Sequence, residues 1–112
     1  MRRLFVVLSV PAVVAVFAIP ALAATRSVKV GDNYFVREGS TPTVSVKKND
    51  TVKWNFAGEN PHNVTVTRGP VKFKSPTKSS GSYRKKVTRA GLYRIVCTVH
   101  SGQRMNLRVR SK

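Results

Sequence analysis

Acidic side chains are scarce in this sequence. Asp32, Glu38, Asp50 and Glu59 are the only carboxylates against 21 Lys and Arg, and the formal net charge is +17. No two of the four are spaced as a catalytic acid-base pair, so the sequence carries no enzyme signature. Cysteine is rarer still. Cys97 stands alone, which excludes an internal disulfide and leaves a buried inert thiol, an intermolecular bridge or a ligand. Histidine occurs twice, as His62 and His100. After residue 24 there is no apolar repeat of helical period, no internal repeat and no low-complexity tract.

The long apolar run lies at the start. Arg2 and Arg3 precede LFVVLSVPAVVAVFAIP, and Ala21-Leu22-Ala23 gives a small-x-small cleavage pattern. Residues 1–23 are therefore expected to be a secretory signal peptide, and the protein to be exported to a periplasm, a cell surface or the surrounding medium. The run is also long enough for an uncleaved anchor, but Pro11, Pro20 and the small residues at its exit favour cleavage. Residues 24–112 then form one domain around a single core. Nearly all the positive charge stays with that domain, scattered as Lys47-Lys48, Arg84-Lys85-Lys86, Arg104, Arg108 and Arg110. Such a surface is drawn to polyanions: an acidic protein, an anionic membrane or a wall polymer. No nucleic-acid-binding motif accompanies the charge, and export argues against nucleic acid as a partner.

The period that does appear is two. In TVKWNF, Val52, Trp54 and Phe56 share one face and Thr51, Lys53 and Asn55 the other; NVTVT repeats this with Val64 and Val66. In LYRIVCTV the odd positions Tyr93, Ile95, Cys97 and Val99 share a face, so Cys97 is expected to point inward. Leu107 and Val109 alternate with Arg108 and Arg110. Turn-forming clusters punctuate the runs at Gly31-Asp32, Lys48-Asn49-Asp50, Gly58-Glu59-Asn60-Pro61, Arg68-Gly69-Pro70, Ser79-Ser80-Gly81 and Ala90-Gly91. Six to eight short strands of this kind predict an all-β fold, an antiparallel β-sandwich or small barrel. Trp54 is expected in the core, as is Tyr93 with its hydroxyl bonded to a nearby turn; Phe73 fits either a core plug or an apolar rim.

On such a scaffold the scarce residues converge. His62 precedes one strand, Cys97 ends another, and His100 lies in the loop that follows, with an amide or sulfur donor shortly after. One end of a sandwich gathers such positions. Two imidazoles and one thiolate are the trigonal set that copper prefers, completed by a weak axial donor; zinc takes the same three ligands less typically. A lone loop histidine is ordinarily a surface residue. Here both histidines stand beside strand ends, and one is three residues from the only cysteine, which favours a metal.

Residues 44–112 resemble the cupredoxins, the blue-copper electron carriers, and are most similar to the plastocyanin and amicyanin branch. The matching pieces are VKKNDTVKWNF, the PHNV around His62, and AGLYRIVCTVH, which carries that branch's Gly-x-Tyr-x-x-x-Cys-x-x-His pattern as Gly91, Tyr93, Cys97 and His100. The resemblance implies a Greek-key β-sandwich with one type 1 copper ion on His62, Cys97 and His100. It places Asn63 where relatives tie the two ligand loops together, and His100 where they pass electrons to a partner. In relatives a methionine follows the second histidine by three or five residues, and a proline often follows it directly. Here Ser101 replaces the proline, Gln103 is three residues on and Met105 five. The shorter loop leaves Leu107 and Val109 in inward register, so Gln103 is the expected axial ligand and Met105 a core residue, with Met105 as the alternative ligand. An amide oxygen is harder than a thioether and favours Cu(II), lowering the reduction potential.

Three functions are therefore weighed. The first is a monomeric, non-enzymatic electron carrier for redox partners with an acidic docking surface. The second is a copper-holding or copper-delivery protein, and the third a metal-free basic β-sandwich that binds anionic surfaces.

Overall fold

Alternation in the sequence becomes two stacked sheets. The computed structural model describes residues 22–112; positions 1–21, which hold most of the expected signal peptide, lie outside the described residues. Eight strands follow in order: β1 (Thr25–Gly31), β2 (Tyr34–Phe35), β3 (Thr43–Lys47), β4 (Thr51–Phe56), β5 (Thr65–Arg68), β6 (Ser82–Lys86), β7 (Gly91–Val96) and β8 (Arg104–Arg110). One sheet has the order β2-β1-β4-β6 and the other β3-β8-β7-β5. Among the described residues no helix is long and apolar enough to cross a membrane.

The expected all-β sandwich is present, and its sheets are mixed. β1 pairs with β4 in parallel and β3 with β8 in parallel, while β1–β2, β4–β6, β5–β7 and β7–β8 are antiparallel. The connection from β1 to β4 passes through β3, which belongs to the opposite sheet, and this long crossover permits a parallel partner. Alternation marks which side chains face inward and is the same in either pairing, so it does not distinguish them.

The core lies between the sheets. Val52, Trp54 and Phe56 of β4 face Met105, Leu107 and Val109 of β8, Tyr93 and Ile95 of β7, and Val44 and Val46 of β3, all buried. Each such side chain contributes about 1.5–3 kcal/mol through burial. Trp54 is fully buried; its indole N–H donates to the Met105 sulfur at 3.5 Å, and its ring packs on Phe73 and Tyr83. Phe73 also meets Tyr93, so it packs against the core. The Tyr93 hydroxyl donates to the Arg89 carbonyl at 2.7 Å, the turn bond expected from sequence.

Asp50 closes the turn into β4. Its Oδ1 accepts the Ala24 N–H and its Oδ2 the Lys47 N–H, each at 2.9 Å, with Asn49 between at a φ of 77°. The Ala24 bond first and the Lys47 bond second hold the Asp50 carboxyl below the ordinary aspartate range. A folded-state pKa lowered in this way gives stability that is complete above the unfolded value of about 3.9 and is lost as pH falls through the folded value. Urea midpoints should therefore drop as pH falls below about 4. Asp50→Asn should lower the neutral-pH midpoint and make that acid-side drop shallower.

Candidate metal centre

The three scarce ligands meet at one end of the sandwich. His62 stands before β5, pinned by reciprocal backbone hydrogen bonds with Lys78 at 2.9 Å. Cys97 is the first residue beyond β7, and His100 lies in the β7–β8 loop. The Cys97 Sγ is 3.8 Å from His62 Nδ1 and 3.8 Å from His100 Nδ1, and the three donor atoms lie within 4.8 Å of one another. One thiol proton cannot serve two imidazoles at once, so equal distances on both sides favour a shared centre. A first-row ion about 2.3 Å from sulfur and about 2.0–2.1 Å from nitrogen, with trigonal angles, requires a sulfur–nitrogen separation of about 3.8 Å. Both sulfur–nitrogen separations match that value. Cys97 and His62 are buried and His100 half-buried, with the two imidazole rings 4.6 Å apart between centroids.

The loops are joined by Asn63, which is buried. Its Nδ2 donates to Thr98 Oγ1 at 2.7 Å, and its Oδ1 accepts from the Thr98 N–H at 3.1 Å and from Thr65 Oγ1 at 2.8 Å. Thr98 directly follows Cys97, so this amide sets the distance between the His62 loop and the cysteine.

Gln103 and Met105 are both buried, with different occupations. Gln103 belongs to the ligand loop: its carbonyl accepts the Cys97 N–H at 2.9 Å, and its side-chain Nε2 donates to the Gly31 and Tyr34 carbonyls, both at 2.9 Å. These two bonds use both amide hydrogens and identify the remaining atom as Oε1. That oxygen is buried and has no hydrogen-bond partner within the protein. An orphaned acceptor of this kind costs about 1–3 kcal/mol. Met105 lies opposite Ile95 in the β7–β8 register, its sulfur accepting from Trp54.

The pattern described as copper binding proteins, plastocyanin/azurin family, matches residues 24–111. The chain belongs to that family. Its cofactor is copper. Among solved structures this cupredoxin is similar to a methionine-to-glutamine variant of amicyanin in the Cu(I) state, with 31% identity over 77% of this chain and 82% of that one, and a TM-score of 0.65. It is also similar to an oxidised methionine-to-leucine variant of amicyanin, with 30% identity, coverages of 76% and 81% and a TM-score of 0.62. A Cu-containing nitrite reductase, NirK from Thermus scotoductus SA-01, superposes with a TM-score of 0.66 at 20% identity. That superposition covers 79% of this chain but 23% of the reductase, so the likeness is one of fold. No curated protein matches.

Two features of the site depart from the sequence reading. Val99 was expected on the inward face with Cys97 but is 49% exposed, because β7 ends at Val96 and the chain turns to bring His100 back. The sequence reading gave Asp32 no role at the site, yet its Oδ1 lies 2.8 Å from His62 Nε2. This bond first, then those from the Glu59 and Asn60 N–H groups, hold the Asp32 pKa at about 2. Thirty positions separate Asp32 from His62, and only the folded sheet brings them together.

The Asn63 clamp makes its own prediction. Asn63→Ala should destabilise the metal-free cupredoxin by about 1–3 kcal/mol, since its three part-buried hydrogen bonds to Thr98 and Thr65 are lost. A chemical-denaturation midpoint lowered at unchanged slope checks this.

Proposed function

We propose that this cupredoxin is an exported, non-enzymatic carrier of single electrons, with one copper ion held by His62, Cys97 and His100 and by Gln103 Oε1 as weak axial donor. The observation that carries the reading is the equal 3.8 Å separation of the Cys97 sulfur from both imidazole nitrogens, in a loop whose Gln103 oxygen lacks any other partner. Copper supplies one-electron exchange between Cu(II) and Cu(I). The protein's part is to hold its donors still. Cys97 binds as the thiolate, giving up its proton when the metal enters. Asn63 keeps the cysteine and the His62 loop at fixed distance, and the backbone bonds of His62 and Gln103 keep those side chains in place. A site whose ligands move little between oxidation states places little reorganisation in the path of an electron. Met105, engaged by Trp54, serves the core.

His100 is the half-buried ligand and the exit for the electron, with exposed Val99 beside it as an apolar contact. The exposed charge over both sheets suits an acidic partner. Arg94, Arg104, Arg108 and Arg110 stand exposed on β7 and β8, and Arg84 and Lys86 on β6. Export, with cleavage after Ala23 and the domain starting at Ala24, is supported by the N-terminal sequence. It is also supported by the Ala24 nitrogen lying 2.9 Å from the Asp50 carboxylate, where a newly freed ammonium group would find its counter-charge.

Copper-loaded protein should show a strong visible thiolate-to-copper absorption band, and Cys97→Ser should abolish it; a colourless wild-type complex overturns the reading. Gln103→Met should raise the reduction potential in cyclic voltammetry, whereas Met105→Leu should leave it nearly unchanged. The reverse pattern would assign the axial position to Met105. Association with an acidic redox partner should slow steeply as ionic strength rises, because the steering is long-range.

A further inference from the structure

We propose that Asp32 is the positioning residue of the copper centre: its carboxylate holds His62 in the Nε2–H tautomer, presents the Nδ1 lone pair to the metal and makes that imidazole a stronger donor to Cu(II). The inference rests on the copper reading above and adds to it a residue from a different sheet edge.

The tautomer follows from the acceptors already in use. Asp32 Oδ1 accepts from the Asn60 N–H at 3.1 Å, and Oδ2 accepts from the Glu59 N–H at 3.1 Å. Both oxygens are acceptors, so the imidazole nitrogen at 2.8 Å from Oδ1 must donate. A neutral imidazole has one N–H, so the proton on Nε2 leaves Nδ1 as a lone pair. Nδ1 is the atom 3.8 Å from the Cys97 sulfur. His62 is fully buried, so no bulk water competes for either nitrogen.

The chain makes room for this contact. A Cβ built on Gly58 would overlap Asp32 Oδ1 and lie 2.9 Å from the Asp32 backbone nitrogen, so a side chain at that position would displace Asp32 and its carboxylate. Asn33, at a φ of 72°, completes the tight β1–β2 turn on which Asp32 sits. Through Glu59 and Asn60 the same carboxylate braces the loop that carries His62. His100 has no carboxylate partner among the described residues, so the two imidazoles are unequal donors.

A carboxylate on the outer N–H raises the basicity of a metal-bound imidazole, and loss of such a partner ordinarily costs about 10–100-fold in metal affinity. The stronger donor and the added negative charge favour Cu(II) over Cu(I). They act in the same direction as the Gln103 amide.

The test uses Asp32→Ala, Asp32→Asn and Gly58→Ala in the full protein. In the metal-free wild type, nitrogen-15 NMR of His62 should show the Nε2–H tautomer, and Asp32→Ala should shift it toward Nδ1–H. On copper loading, each variant should lose about tenfold or more in Cu(II) affinity, and less in Cu(I) affinity. A tenfold difference corresponds to a reduction potential about 59 mV higher for one electron. Gly58→Ala keeps the carboxylate but displaces it, and should shift the potential in the same direction. Asp32→Asn retains the side chain's shape and decides the matter if Asp32→Ala fails to fold. The proposal is overturned if the tautomer is unchanged in Asp32→Ala, or if Cu(I) and Cu(II) affinities fall equally and the potential stays put, the behaviour of a residue that only braces a loop. A wild type that takes up no copper would defeat the electron-carrier reading while leaving the metal-free tautomer to be judged separately.

Discussion

The sulfur of Cys97 has to be held midway between two imidazole nitrogens, and the rest of the architecture answers to that requirement. None of the three side chains can achieve it alone, since one precedes β5, one ends β7 and one hangs in the loop toward β8. The core fixes β7 and β8 against each other through Tyr93, Ile95, Met105 and Leu107. The Asn63 amide then ties the cysteine's neighbour to the loop of His62. The arrangement is made by hydrogen bonds and packing that exist without an ion, so the ion meets a prepared geometry.

The polar groups left over are informative because the interior has so few. Buried polar groups normally find partners, and among the described residues the one buried side-chain oxygen or nitrogen without a partner is Gln103 Oε1. Its own amide nitrogen is anchored on both hydrogens, so the oxygen cannot rotate to satisfy itself without breaking them. The carboxylates are equally purposeful. Asp50 closes the β3–β4 turn and holds the chain at Ala24, and Asp32 joins the β1–β2 turn to the His62 loop. In a chain this basic, two of its four acids serve as internal braces, leaving the exposed arginines and lysines with little intramolecular neutralisation.

Much of this was legible in the residue order. Alternation in TVKWNF, LYRIVC and MNLRV marked the buried faces, and the Lys48-Asn49-Asp50, Ser79-Ser80-Gly81 and Ala90-Gly91 clusters marked the turns between strands. The rarity of cysteine and histidine pointed to the site. Strand pairing was not legible, because an inward-facing valine reads alike beside a parallel or an antiparallel neighbour. Val99 was misplaced for a related reason: alternation holds only while the strand lasts, and the strand stops at Val96. Asp32 carried no local signal. It looked like an ordinary turn residue, and its contact with His62 arises from the packing of distant segments.

The most direct test of a prepared site is X-ray absorption at the copper edge on the same sample, oxidised and then reduced. The account predicts one sulfur and two imidazole nitrogens around copper in both states, with closely similar distances. Loss of the sulfur neighbour, or departure of an imidazole on reduction, would contradict it.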